Sequence, residues 1–421
     1  MIKTKEFTER RNKLFKEIED NSVVVMYAGV AKKYSEDETL PYTANRNFYY
    51  LTNIEQEGSI YLLAKCDGIL KEFLFISEYN EVNEKWTGKR LTSDEASKLS
   101  GIENVLGLDI FSAKLDMFIS GKDKTYGFYT HLYLDLDSEL KIGDDLYTVQ
   151  LANSLSLNYT NIEIRNVYPI LMKLRMVKSP QEIEEFKEAI SKTNIGLKKI
   201  MMSLKPGMFE YQISSLFYYT IQSYDYSTLS FPTICASGVH ATVLHYPTPV
   251  GRINDGECLQ LDLGSKNNGY CADISRVYPV NGKFTELQKK IYNIVLGCNK
   301  AVITWIKPGV TIKELQEKTI DFLANGCLNA ALIKNKEDIK NYYFHNISHH
   351  IGLDTHDISR RDLPLVAGNI ISDEPGLYFK ELGIGIRIED DILVTEEGSY
   401  NLSGNIIKEI SDIEKAMLFR K

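Results

Sequence analysis

With 421 residues, 43% of them hydrophobic, the chain is too long for one ordinary core and carries enough apolar side chain to bury two. A formal charge of −8 offers no basic stripe for phosphates, so nucleic acid and anionic membrane are excluded as natural partners, and a peptide or small molecule is the expected substrate. The six cysteines are scattered without a C-x-x-C pair, which points to reduced thiols in a cytoplasmic protein and away from a disulfide framework or a zinc knuckle.

The opening run MIKTKEFTERRNKLFKEIEDN is charged throughout, and the apolar SVVVMYAGVA after it is too short to span a bilayer, so neither export nor membrane association is expected. From Val23 to about Tyr168, short β-rich runs (VVVMYAG, NFYYLTN, SIYLLA, EFLFIS, TYGFYT, IEIRNVY) alternate with polar helical stretches such as residues 91–100. This pattern predicts an α/β domain over residues 1–174, with Phe48, Tyr49 and Tyr50 on a buried strand.

A second domain, residues 175–421, is predicted to open at Ser179-Pro180-Gln181-Glu182. Ser179 can cap the helix, Pro180 fits its first position and Glu182 closes a capping box. The helix carries Ile183, Phe186, Ile190, Leu197, Ile200, Met201 and Leu204 and stops before Lys205-Pro206-Gly207. Another helix starts at Thr285, with Gln288 three residues on, and stops before Lys307-Pro308-Gly309. LKPGMFEYQI and IKPGVTIKEL thus read as one unit used twice, each leading into a further amphipathic stretch.

The segments after the two units are alike in chemistry. After the first comes CLQLDLGSKNNGYCADISRVYPV, two strand-like arms around an Asn-Gly turn, with Asp262 on one arm and Asp273 on the other. If Asn267-Asn268 forms the loop the aspartates are directly opposite; if Asn268-Gly269 does, they are diagonal. Either way they share a face, where two like charges are destabilising without a cation. After the second unit comes IISDEPGLYFKELGIGIRIEDDILVT, with Glu374 and Glu389 on its two arms. Two acidic hairpins facing each other across a pseudo-twofold would bring four carboxylates to one point, a set that calls for two divalent ions. Between them lies FHNISHHIGLDTHD, whose His345 and His349 have helix-face spacing, although β-branched Ile347 and Ile351 allow a strand or turn equally. One imidazole with four carboxylates is a hard, oxygen-rich donor set, suited to Mn2+ or Fe2+.

These residues resemble the pita-bread metallopeptidases, which include methionine aminopeptidase, aminopeptidase P and prolidase. The family's ligand order Asp, Asp, His, Glu, Glu is met at LDLG (Asp262), CADISR (Asp273), SHHIGLDTHD (His349), DEPGLY (Glu374) and GIGIRIEDD (Glu389). The N-terminal half with NRNFYYLTN resembles the creatinase-type domain that methionine aminopeptidases lack. The resemblance implies an α/β creatinase-like domain followed by an α+β pita-bread catalytic domain with an internal repeat. It implies two divalent ions, Mn2+ foremost with Fe2+, Co2+ or Zn2+ as alternatives, and hydroxide attack on a peptide with proline at its second position. It further implies pocket roles for His245, His345 and His356, acid–base work for Glu374, a carboxylate-orienting role for Arg387, and a homo-oligomer, dimer or tetramer. The rival readings are a prolidase, restricted to Xaa-Pro dipeptides, and a metal-free peptide-binding module, which would have lost ligands. Two departures from the family pattern, Asn346 after the histidine and an acid, Asp373, beside Glu374, are expected to alter the shape or charge of the pocket.

Overall fold

The computed structural model describes residues 2–77, 80–120, 127–136, 147–225 and 227–418. Two units are distinguished, residues 2–175 and 176–421. The first is built from α1 (Thr4–Glu17), β1 (Ser22–Tyr27), α2 (Arg46–Thr52), β2 (Ile60–Cys66), β3 (Ile69–Ile76), α3 (Glu81–Thr87), α4 (Ser93–Ser100), β4 (Val105–Gly107), α5 (Phe111–Ile119), β5 (His131–Leu134), α6 (Tyr147–Asn158), β6 (Glu163–Asn166) and α7 (Tyr168–Met176). Its six strands form one mixed sheet in the order β4-β3-β2-β1-β5-β6. Alternate residues Val23 and Val25, Ile60 and Leu62, and Phe73 and Phe75 share a core with Phe111, Leu115 and Phe118 of α5, as period-2 burial requires.

NFYYLTN, expected as a strand, is the helix α2. Local chemistry outweighs the aromatic composition: the Asn45 side chain accepts the Phe48 N–H at the N-terminus, and Asn53, with φ of 59°, ends the helix in the left-handed region. Phe48, Tyr49 and Tyr50 are all buried, and the Arg10 guanidinium lies 4.3 Å over the Tyr50 ring. TYGFYT, also expected as a strand, differs as well. Its first two residues lie outside the described residues, and the part that is described precedes β5 rather than forming a strand.

In the second unit α8 (Pro180–Ser203) begins with the Ser179–Glu182 capping box and ends at Leu204. After it come α9 (Glu210–Tyr224), β7 (Ile234–Ser237), β8 (Cys258–Leu263), β9 (Lys266–Asn267), β10 (Tyr270–Cys271) and β11 (Ile274–Pro279). The same order returns with α10 (Glu286–Trp305), capped by Thr285 and Gln288, then α11 (Ile312–Asn329), β12 (Ile370–Asp373), β13 (Gly376–Phe379), β14 (Ile384–Arg387), β15 (Asp390–Val394), β16 (Ser399–Asn401) and α12 (Ile410–Met417). Each half is therefore helix, Pro-Gly stop, helix and interrupted hairpin. All six cysteines are free thiols. Among the described residues, no helix is long and apolar enough to cross a membrane.

Candidate metal centre

The first hairpin turns at Asn268-Gly269, both with positive φ (45° and 87°), and pairs Asn267 with Tyr270 and Asp262 with Ser275. Asp273 therefore faces Gly264, and the two aspartates are diagonal neighbours on one face, the second of the two registers open to the sequence. Gly264 is obligatory, because a Cβ there would stand 1.8 Å from the Ala272 carbonyl oxygen. In the second hairpin Asp373 pairs with Asp390 and Gly376 with Arg387, one continuous register that sets Glu374 directly across from Glu389. The histidine segment forms no helix. Residues 347–351 run beside β12, with Ser372 N donating to His349 O (2.9 Å) and Glu374 N to Ile347 O (3.0 Å).

These elements bring all nine expected residues, Asp262, Asp273, His349, Glu374, Glu389, His245, His345, His356 and Arg387, onto the wall of one cavity of about 580 Å³. Asp273, His349 and Glu389 each offer a donor atom within 4.8 Å of the others. His349 Nδ1 lies 3.1 Å from the His350 carbonyl oxygen, which can only accept, so this nitrogen carries the proton and Nε2 presents a lone pair. That lone pair faces Asp273 Oδ2 at 3.4 Å and Glu374 Oε1 at 3.6 Å. A lone pair aimed at two carboxylate oxygens is repulsive unless a cation lies among them. Burial first, and the surrounding carboxylates second, hold Asp273 and Glu389 well above the usual carboxylate range, and burial raises Glu374 as well. Asp262 Oδ1 is buried with no hydrogen-bond partner. Four acids, one guanidinium and an orphaned oxygen fit a divalent metal centre of oxygen and imidazole donors.

The three other expected imidazoles, of His245, His345 and His356, lie around this floor. His345 Nδ1 donates to the Asn346 carbonyl (2.8 Å), its Nε2 accepts from Tyr378 Oη (2.9 Å), and burial lowers it to about 3. Tyr378 Oη in turn accepts from Arg387 Nη1 (3.0 Å), whose Nη2 donates to Asp262 Oδ2 (2.6 Å). His356 is lowered to about 4, chiefly by burial, and its ring lies 4.1 Å from that of His349. His245 is exposed.

Residues 184–396, half of the chain, match metallopeptidase family M24. The chain belongs to that family. Residues 7–126 match the aminopeptidase P N-terminal domain. A Xaa-Pro aminopeptidase from Haemophilus influenzae is 30% identical, with 98% of this chain and 97% of that one aligned. A candidate aminopeptidase P from Bacillus anthracis superposes with a TM-score of 0.95 at 40% identity over 99% of both chains. A zinc-substituted aminopeptidase P from Escherichia coli, solved with product, does so with 0.91 at 28% identity over 100% of this chain and 99% of that one.

Several residues of this M24 site are not singled out by the sequence reading, although a signal is present. Each bracing side chain stands two positions from a ligand and so on the same face of its strand. Ser275, two after Asp273, donates to Glu389 Oε2 (2.9 Å). Ser372, two before Glu374, donates to Glu374 Oε1 (3.2 Å) and accepts from His349 N (2.9 Å). Gln260, two before Asp262, accepts from Arg387 N (2.7 Å). Arg361 and an apolar wall of Phe231, Pro232, Leu244, Tyr246 and Pro247 complete the cavity. Asp373 corrects the part of an expectation that concerned shape: it is fully buried, accepts from Asn299 Nδ2 (3.0 Å) and takes no part in the cavity wall, whereas Asn346 does; its charge still acts on Glu374.

Proposed function

We propose that this M24 metallopeptidase releases the first residue of peptides with proline at the second position, using two divalent ions, Mn2+ in the first instance. The observation that carries the reading is the His349 Nε2 lone pair directed among buried carboxylates, at the floor of a cavity with an apolar wall. The proline preference is supported by the named activity of the H. influenzae relative, aligned along nearly its whole length. It is also supported by the wall of Phe231, Pro232, Leu244, Tyr246 and Pro247, a surface suited to a pyrrolidine ring.

Asp262, Asp273, His349, Glu374 and Glu389 would hold the ions, and Arg387 fixes the orientation of Asp262. When bound, the ions lower the pKa of a water toward neutrality and polarise the scissile carbonyl. Glu374, whose Oε1 accepts from Ser372 Oγ (3.2 Å), takes the proton of the attacking water and passes it toward the leaving proline nitrogen. His356 donates to the oxygen of the tetrahedral intermediate. His245, on the cavity wall, assists at the scissile bond, and His345, held by Tyr378, contacts the proline residue.

After chelation and restoration of Mn2+, hydrolysis of Xaa-Pro-Yaa peptides is to be compared with that of Xaa-Pro dipeptides. Activity on the longer peptides is the expected result, and activity confined to dipeptides would make the enzyme a prolidase. His356→Ala should lower turnover by about 100- to 1,000-fold with metal content unchanged. Full turnover in that variant removes the histidine from the mechanism.

A further inference from the structure

The chain leaves β7 at Ser237 and returns at Gly251, and the loop between carries Leu244, His245, Tyr246 and Pro247 into the cavity wall. Both ends of the loop are tied to one side chain. Glu210, the first residue of α9, is fully buried. Its Oε1 accepts from Ser237 N (2.7 Å) and Ser237 Oγ (3.1 Å), and its Oε2 accepts from Gly251 N (2.7 Å). The Glu210 amide donates back to the Gly251 carbonyl (3.0 Å). His240 Nδ1 lies 3.0 Å from Oε1, and the His240 ring stacks on Tyr246 at 4.7 Å with an 18° interplanar angle. The closure is tight, since a Cβ on Gly251 would stand 2.6 Å from the His240 ring and 2.7 Å from Glu210 Oε2.

A first-turn acid favours a helix N-terminus even when exposed, so helix stability alone gives no reason to bury this one. Its oxygens are instead taken up by the two ends of the loop. We propose that Glu210 is a positioning residue. By clasping Ser237 and Gly251, and through His240 the ring of Tyr246, it sets where His245 and the apolar wall stand relative to the metal floor. A carboxylate is required because it accepts at both ends. A glutamine has one accepting oxygen, and its NH2 would meet an N–H at the other end, leaving that end unpaired. The inference rests on the reading of the cavity as a peptide cleft.

The test uses the full-length, metal-loaded protein. For wild type, Glu210→Gln and His240→Ala, kcat and KM are measured on an Xaa-Pro-Yaa peptide, metal content by elemental analysis, and amide exchange across residues 237–251. Glu210→Gln should raise KM on the order of tenfold or more and lower kcat, with metal content as in wild type and faster exchange at Ser237 and Gly251. His240→Ala, at a partly exposed position, should raise KM less, with exchange at Gly251 unchanged. A folded Glu210→Gln protein with wild-type KM and exchange overturns the proposal, and so does one that has lost its metal, since the damage would then be general. If Glu210→Gln does not fold, an unchanged KM in His240→Ala overturns it instead. A wild type inactive on the peptide would defeat the functional reading, leaving amide exchange to decide whether Glu210 closes the loop.

Discussion

Replacing Lys178 with methionine removes one half of an ion pair that has almost no water around it. Lys178 Nζ lies 3.2 Å from Asp357 Oδ2, with both side chains 1% exposed. At that separation and an effective dielectric near 20, the attraction is about 5 kcal/mol. Removal of one partner from such buried pairs typically destabilises by about 3–5 kcal/mol, because the other charge stays behind. For a unit of this size that corresponds to a fall in Tm of roughly 10 °C. Asp357 also donates its amide to the His350 carbonyl (2.9 Å) and directly follows His356, so turnover should fall with stability. The double variant Lys178→Met/Asp357→Asn, with no stranded charge, should regain most of the loss. Calorimetry of the metal-loaded protein checks both. A single variant within about 2 °C of wild type, or a double variant as damaged as the single, would refute the argument.

Chelation should abolish activity and also make the catalytic unit sensitive to pH. The folded pKa values of Asp273, Glu374 and Glu389 lie above the unfolded ones. The apo unit is therefore unpenalised below the ordinary carboxylate pKa and loses stability as pH rises through the range above it. Denaturant titrations at several pH values should show a steeper slope without Mn2+ than with it, since buried Asp373 and Asp391, also raised but not among the ligands, act in both states. Gly264→Ala must part the strands bearing Asp262 and Asp273, so it should cost about 3 kcal/mol and weaken metal binding, both measurable on the purified protein. Lys408→Met removes the ammonium paired with buried Asp390, whose neighbour is Glu389. Calorimetric titration should show weaker Mn2+ binding, with activity recovering at higher Mn2+ concentration.

Where one residue's chemistry settles local geometry, the sequence could be read directly. Ser179-Pro180 and Thr285 start helices, Pro-Gly stops them, and Asn268-Gly269 turns the first hairpin, each through a hydrogen bond or a φ angle confined to a few neighbouring positions. NFYYLTN misled because its aromatic content outweighed the flanking Asn45 and Asn53, which cap a helix. Asp373 misled for a different reason. Standing next to a ligand in the chain is not standing next to it in space, since successive residues of a strand point to opposite faces, and this one points at Asn299 and Asp390. Least legible were Glu210, whose partners Ser237, His240 and Gly251 lie 27 to 41 positions away, and Lys178, whose partner lies 179 positions away. Neither leaves a local pattern.

The carboxylates and histidine of the centre are spread from Asp262 to Glu389, on two hairpins with a helical pair and the histidine segment made between them. During synthesis the first hairpin therefore emerges with two diagonal aspartates on one face and no imidazole or second acidic pair to complete the site. The full ligand set comes into being only once the second hairpin closes on the first. In this arrangement the ion is taken up by a nearly finished domain, and the metals available at that late moment compete for it.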